Sequence, residues 1–468
     1  MEAGNLGSLG SFGQEHFGRC ELGDARLTAR AVSTADRILK HPGGTLPEKL
    51  AENASLMGMY RLVNNAKVTH EKLMEGHFAW TRKLMEHCGD VVLVIHDTTE
   101  ADFSGLDVEG LGQIGHGKCR GFLVHNALAY DFQKQEVIGL ASQVLHVRRD
   151  VPPGETNRQK REHPRRESLL WKKGWELLGP PPAGKPRVNV CDRGGDVFEF
   201  MEAVGSGGDH YCIRSKSNRK LDQSRVKGSS GLRLHDWARS LETLGTSRVR
   251  VRSHPDQKAR EAQVRVAAGS LSLPAPRWVC GLHSREDQPI CVIHVAEIDP
   301  PKGIAALEWI LLTHVATEGF EQACVRIDWY ARRPVVEEYH KAMKTGCGLE
   351  EQQFTTLKAL QATVGLLSVV AVQLLRLRDL SHRPDAEQRK AREIVGVSHV
   401  ELLSLWRFKE SRPEMSVKEF CLALARLGGH LNRRHDHYPG WMVLWRGWTK
   451  LQWLMDGAQA AKLIKRCV

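Results

Sequence analysis

Two short apolar runs, each ending in an aspartate, set the tightest limit on how this chain can fold. Val91-Val92-Leu93-Val94-Ile95 leads into His96-Asp97-Thr98-Thr99, and Val188-Asn189-Val190-Cys191 leads into Asp192-Arg193-Gly194-Gly195-Asp196. Each run is too short for a helix and rich in β-branched residues, so each reads as a buried strand. Adjacent strands of one sheet can bring such carboxylates together, and like charges that close become tolerable when a divalent cation neutralises them. Taken singly, either Asp is more readily explained as a cap for the turn or helix that follows.

The texture around these runs divides the chain. The first 19 residues are Gly-rich and read as a flexible tail with no signal peptide. Residues 20–88 alternate helical patterns with polar breaks and form a small helical domain. Asp24 is suited to cap its first helix, and His41-Pro42-Gly43-Gly44 to stop it. Residues 89–380 carry strand patterns at VVLVIHD, GFLVHNALAYD, EVIGLASQVLHVRR and PRVNVCD, with a basic, Pro-containing loop between Arg148 and Lys173 running into the helical LLWKKGWELL. Three strands, a helix and a fourth strand is the order a ribonuclease-H-like α/β fold requires. From about 205 to 305 the chain turns strand-rich, with YCIRSK, SRVRVRS, AQVRVAAGSLSL and WVCGLHS, which reads as an inserted β-domain. Residues 381–468 are helical again.

Charge and cysteine usage narrow the function. Lys plus Arg number 67 against 55 Asp plus Glu, a formal charge of +12 that favours a polyanion such as DNA or RNA as partner. Eleven cysteines without a C-x-x-C pair indicate neither a disulfide framework nor a zinc ribbon, and point to the cytoplasm. Ala359 to Leu375 is uncharged, but falls short of the ~20 residues a membrane helix needs and reads as a buried helix.

A third acidic candidate lies in YARRPVVEEYHKAMKTG, where Tyr330, Arg333, Glu337 and Lys344 stand at offsets 0, 3, 7 and 14. At about 100° per residue, these four fall within roughly 60° of helix circumference, so one face would present a phenol, a guanidinium, a carboxylate and an ammonium. A solvated face with helical ion pairs is the ordinary alternative. Pro334 biases Arg333 away from helical geometry and is suited to be a first helical residue, which would put Tyr330 and Arg333 on the approach to the helix.

The Tyr-x2-Arg-x3-Glu-x6-Lys spacing resembles the signature of bacterial insertion-sequence transposases of the cut-and-paste DDE type, the family of the transposon-five enzyme. The similarity runs through LGDARLTAR, MYRLVNNAKV, IHDTTEADFSG, VCDRGGD, IRSK, EIDPPKG, LEWILLTH, EEYHKAMKTG, VVAVQLLRLRD and LARLGG. It departs at Pro334, where the family usually has an aromatic residue. The resemblance implies that Asp97, Asp192 and Glu337 form a catalytic triad holding two Mg²⁺ ions, for which Mn²⁺ can substitute, suited to in-line displacement at a phosphate. It implies that Arg333 and Lys344 contact phosphates, that Tyr330 positions DNA, and that Trp309 stacks on a flipped base, although a half-buried strand Trp explains Trp309 nearly as well. In the helical N-terminal domain, Arg30, Lys40, Tyr60 and Arg61 would face the terminal inverted repeats, and Arg214 and Lys216 would add a basic cluster in the β-insert. Trp441, Leu444, Trp445 and Trp448 recur at helical spacing; they serve either the monomer core or, as the family implies, a homodimer on paired ends.

The resulting expectation is a DNA transposase acting in the bacterial cytoplasm, associated with the nucleoid and not with a membrane. It would cleave transposon ends, form and resolve hairpins, and transfer strands to target DNA. A catalytically decayed or inhibitory DNA-binding relative, for which Pro334 is the best support, and a host nuclease on the same fold are the competing readings.

Overall fold

A computed structural model describes residues 9–221, 233–252, 259–276, 283–436 and 438–467. Ten strands join in one mixed sheet: β1 (Val92–Asp102), β2 (Gly112–Gln113), β3 (Arg120–Asp131), β4 (Glu136–His146), β5 (Arg187–Cys191), β6 (His210–Arg214), β7 (Thr243–Val251), β8 (Arg260–Leu273), β9 (Gln288–Glu297) and β10 (Glu308–Thr313). β1 lies between antiparallel β3 and parallel β5; β4 flanks β3, and β6 runs parallel to β5. The order β4-β3-β1-β5-β6 therefore has an antiparallel half and a parallel half meeting at β1.

That central position explains why the two apolar runs are so apolar. Val92 to Ile95 and Arg187 to Cys191 are all buried, because strands at the middle of a covered sheet have no solvent face. β1 is longer than its apolar run. It continues through Thr98, Thr99 and Glu100 to Asp102, held by antiparallel pairing to β3 that the polar side chains do not advertise.

The β-insert is not a separate body. β10 pairs with β6 on one side and β9 on the other, so β9, β8 and β7 extend the same sheet outward. The expected strand in WVCGLHS falls mostly outside the described residues; the strand that pairs is Gln288–Glu297, whose Ile290 to Val295 are buried.

The stretch set aside as a tail is also ordered in part. Leu9–Phe17 is a helix, and Phe12, His16 and Phe17 are buried against its neighbours. Two aromatic rings and an imidazole spaced four and one apart make an apolar face that the glycines around them obscured. Asp24 caps Ala25–Lys40 by accepting from the Arg26 amide at 2.9 Å, and that helix ends at His41, both as expected.

Helix Leu357–His382 runs through the centre of the molecule. It is long and apolar enough to cross a membrane, but 94% of its most apolar window is buried inside the protein. One hydrophobic cluster joins Phe12 and Leu62 of the N-terminal helices to Leu93 and Val190 of the sheet, to Leu366, and to Trp448 of the last helix, Trp441–Cys467. The tryptophan stripe is spent within this chain: Trp445 Nε1 donates to the Gly346 carbonyl and Trp448 Nε1 to the Leu39 carbonyl, each at 3.3 Å. Gly447 lets this helix reach the carbonyl of Leu424 so closely that a Cβ would stand 2.0 Å from it.

A candidate active site where two parallel strands end

In the β1/β5 register, Ile95 stands opposite Val190 and His96 opposite Cys191, so Asp97 and Asp192 emerge at the same edge one step later. Asp192 is held by the turn that follows it, accepting from the Gly194 amide at 2.7 Å. It does cap that turn, but capping and a site role are compatible, since one carboxylate oxygen remains. Gly194 has a packing reason as well: an added Cβ would come within 2.5 Å of the Trp171 ring.

The third carboxylate arrives from the helical side. Helix Gly319–Ala331 is followed by helix Pro334–Lys341, with Pro334 in the first turn. The joint is a tight turn, in which the Arg333 amide donates to the Tyr330 carbonyl at 2.9 Å and the Val336 amide to the Arg333 carbonyl at 3.1 Å. Arg333 itself keeps right-handed helical angles, φ −46° and ψ −43°, against the bias proline imposes on its predecessor. Lys344 sits in a wider, π-type turn, Ala342–Gly346. The four signature residues thus share a region but not one regular helix face.

Arg333 is the hub. Its guanidinium donates to Asp97 Oδ2 at 3.3 Å and to Glu337. Burial pushes the Asp97 carboxyl up to about 6; Arg333 and the Thr98 amide, 2.8 Å away, pull it down, while the charges of Asp192 and Glu337 push it further up. That mutual influence places the three carboxylates in one electrostatic neighbourhood. They are not preassembled as a ligand set: among the described residues no group of three His, Cys, Asp or Glu is arranged to hold a metal ion. The donor chemistry nevertheless fits a hard divalent cation, since the three groups are all carboxylates and their repulsion calls for positive charge that Arg333 supplies in part.

Tyr330 is buried, with its hydroxyl pushed up to about 12 by burial and by the Asp192 charge, against Arg333 and Arg214. Trp309 on β10 packs edge-on against it, ring centroids 4.9 Å apart, which is the half-buried strand role. Arg214 on β6 donates to the Glu308 carbonyl at 2.9 Å and lies beside the same phenol. Lys216 is exposed, its amide donating to Asp196 at 2.7 Å. Lys344 pairs with Glu350 at 2.9 Å and lines a cleft of about 460 Å³ with Thr98, Thr99 and Trp171.

The N-terminal candidates split. Arg30 and Arg61 are exposed, on helices that pack together; Lys40 and Tyr60 are half-buried, and Tyr60 meets Phe354 edge-on at 5.9 Å.

Two buried polar networks beneath Asp97 escaped sequence reading. On one side, Asn189 Oδ1 lies 2.9 Å from His96 Nε2 while Asn189 Nδ2 donates to the His210 carbonyl. That fixes His96 as donor to Asn189, so His125 Nε2 donates to His96 Nδ1 and the Thr98 hydroxyl to His125 Nδ1, at 3.3 and 2.8 Å. On the other, Asn126, the β3 partner of Asp97, donates to His340 Nε2 at 3.0 Å, one turn beyond Glu337. Gln143 donates to Asn126 at 2.6 Å and accepts from His70 at 2.8 Å. The only sequence hint was adjacency: His96 precedes Asp97, and His340 follows Glu337 by three.

Residues 10–68 match the family described as Transposase DNA-binding. The match takes in most of helix Leu9–Phe17. A piggyBac transposase synaptic complex with hairpin DNA, determined by cryo-EM, aligns over 71% of this chain and 55% of that one, at 10% identity and a TM-score of 0.32. The chain thus spans little more than half of that protein's length, at a likeness too low to argue from. What the match shows is that residues 10–68 are similar to a transposase DNA-binding region.

Proposed function

We propose that the protein is a DDE-type DNA transposase of the bacterial insertion-sequence class, with a ribonuclease-H-like core, acting in the cytoplasm on nucleoid DNA. The observation that carries this reading is that Arg333 pairs with both Asp97 and Glu337, from distant parts of the chain, while the charge of Asp192 acts on the same Asp97 carboxyl. The β4-β3-β1-β5-β6 order supports it, because that arrangement sets the first two carboxylates at the end of adjacent parallel strands. Pro334 is absorbed at a helix start without carrying Glu337 away, so it gives little support to a decayed relative.

In this reading Asp97, Asp192 and Glu337 hold two Mg²⁺ ions. When bound, the ions supply charge stabilisation at the scissile phosphate and a lower pKa for the attacking water or 3′-hydroxyl. The chain's own contribution is placement. Buried β1 and β5 fix two carboxylates, and the Asn126–His340 bond fixes the helix that brings the third. Lys344 presents an ammonium to a phosphate in the cleft, and Arg333, released from the carboxylates, presents a guanidinium to another. The N-terminal region grips terminal inverted repeats, the helices from 381 onward serve a homodimer on paired ends, and the reaction proceeds through hairpins to strand transfer into target DNA.

The test uses duplexes bearing the inverted repeats that bracket the gene, incubated with purified protein and Mg²⁺. The parent protein cuts at the repeat ends, and Asp192→Ala cuts at least about 10³-fold more slowly while binding the same duplex equally well. Undiminished cutting by Asp192→Ala would remove the triad, and equal cutting of random-sequence DNA would make the protein a general nuclease.

A further inference from the structure

The cleft beside Asp97 does not end at the candidate active site. Arg148 and Glu167, which form one of its walls, also line a second cleft of about 510 Å³. Strand register explains the continuity. Glu100 on β1 stands opposite Leu123 on β3, and Leu123 opposite His146 on β4, so the chain leaves β4 at the edge from which Asp97 and Asp192 emerge. The segment that follows turns this second cleft basic. Between 148 and 173 it holds nine Lys or Arg against four Asp or Glu.

Most of the arginines there are committed within the protein. Arg148 is bound to Glu100 and Glu167, Arg149 to Glu155, and Arg166 to Glu199. These pairs fold the loop into a wall. Two exposed cations in the lining differ: the Arg165 guanidinium donates to the Val147 carbonyl, at 3.2 Å, with no acidic partner among the described residues, and Lys160 likewise has none. The loop is therefore braced by carboxylates of its own, Glu155 and Glu167, and of its neighbours, Glu100 and Glu199, while two cations without a carboxylate partner, with exposed Asp150 the acidic exception in the lining, face a groove that opens onto the site. Its helix Asn157–Glu162 is closed by a capping box between Thr156 and Gln159, so Lys160 is carried on a regular element.

We infer that this trough holds the sugar-phosphate backbone of a second stretch of double-stranded DNA, separate from the one gripped by residues 10–68 and read without regard to sequence. The inference rests on the transposase reading, in which a second DNA segment must reach the carboxylates. Charge-only contacts from Lys160 and Arg165, with no Phe, Tyr or Trp in the second cleft and its one ring, His146, buried, favour a duplex over an unpaired strand.

The experiment measures binding of a random-sequence 60-base-pair duplex by fluorescence anisotropy from 0.05 to 0.3 M NaCl. It compares the parent, Lys160→Glu/Arg165→Glu, and Lys160→Gln/Arg165→Gln, which removes charge without reversing it. Loss of two phosphate contacts flattens the log-log salt slope by about 1.8 and weakens binding roughly tenfold or more at 0.15 M. Both side chains are exposed, so thermal melting of all three proteins stays the same. Unchanged affinity and slope in both variants overturn the trough, as does an equal loss for a single-stranded 60-mer. Cleavage of repeat-bearing duplexes by the parent is followed in parallel: its absence fails the transposase reading alone, whereas cleavage with unaltered duplex binding by the variants fails the trough alone.

Discussion

Arg333 does for Asp97 and Glu337 what a cation would do. A guanidinium can neutralise two carboxylates, but it cannot lower the pKa of a water molecule, so under the proposed function its place between them is a resting arrangement. Removing it takes a positive charge from a site that must attract others. Arg333→Ala is expected to bind Mn²⁺ severalfold more tightly than the parent, followed by electron paramagnetic resonance without DNA, and to cleave more slowly because a phosphate contact is lost. Weaker Mn²⁺ binding by this variant would mean that Arg333 organises the carboxylates and does not compete for them. At this scale strand ends, spacing and resemblance put forward Asp97, Asp192, Glu337, Arg333 and Lys344, and the structure brings Arg333 against two of these carboxylates. The pairing of Arg333 with Asp97, 236 positions away, was not legible in the sequence, because no local pattern encodes which distant strand a helix will meet.

The helix Pro334–Lys341 is tied to the sheet at two heights, by Arg333 to β1 and by His340 to β3. The second tie is buried and neutral, with the His340 imidazole pushed down to about 3 by burial, and it does not compete with a metal or DNA. His340→Leu leaves Asn126 with an unmet donor, a loss of about 1–3 kcal/mol in stability, and lets Glu337 drift. The loss of end cleavage should exceed what the lowered melting temperature explains. His340→Gln, which keeps an acceptor near the position of Nε2, should restore most of the cleavage; failure of that rescue would reduce His340 to a packing residue. Strand and helix identities were legible wherever burial wrote a pattern, as in β1, β5 and Leu357–His382. The strands of the insert were legible, but that they continue the central sheet was not, and the pairing of β10 between β6 and β9 shows it. The joint at Pro334 was legible from proline chemistry, although Arg333 resolves it through a tight turn and not by leaving the helical region.

At the scale of the whole molecule, the imidazoles that burial holds neutral include His16, His77, His96, His125 and His340. Burial is the first cause in each, which pushes His77 and His340 down to about 3 and His96 to about 4. In the unfolded chain each titrates near 6.5, so above that pH their contribution to stability is intact. As pH falls through 6.5 toward 4 the unfolded chain takes up protons the folded one refuses, at about 1.4 kcal/mol per pH unit for each histidine once below its unfolded pKa. Five together rival a typical total stability of about 5–15 kcal/mol. Urea denaturation at pH 7.5, 6 and 5 should therefore show a steep loss, and His77→Gln a shallower one; a flat profile would mean that water reaches these rings. The sequence showed 22 histidines and no reason to single out these five, since their burial arises where the N-terminal helices, the sheet and the Glu337 helix close over one another.

The single sheet also has a metric consequence. Six inter-strand steps separate β1, which carries Asp97, from β7 at the outer margin. At about 4.8 Å per step that is roughly 29 Å, a little under one turn of B-form DNA at about 34 Å. Because hydrogen-bonded strands cannot slide apart by a fraction of a step, a double helix touching both the end of β1 and the β7 margin would be measured against a fixed ruler, and under the proposed function the place of the cut would follow from counting strands.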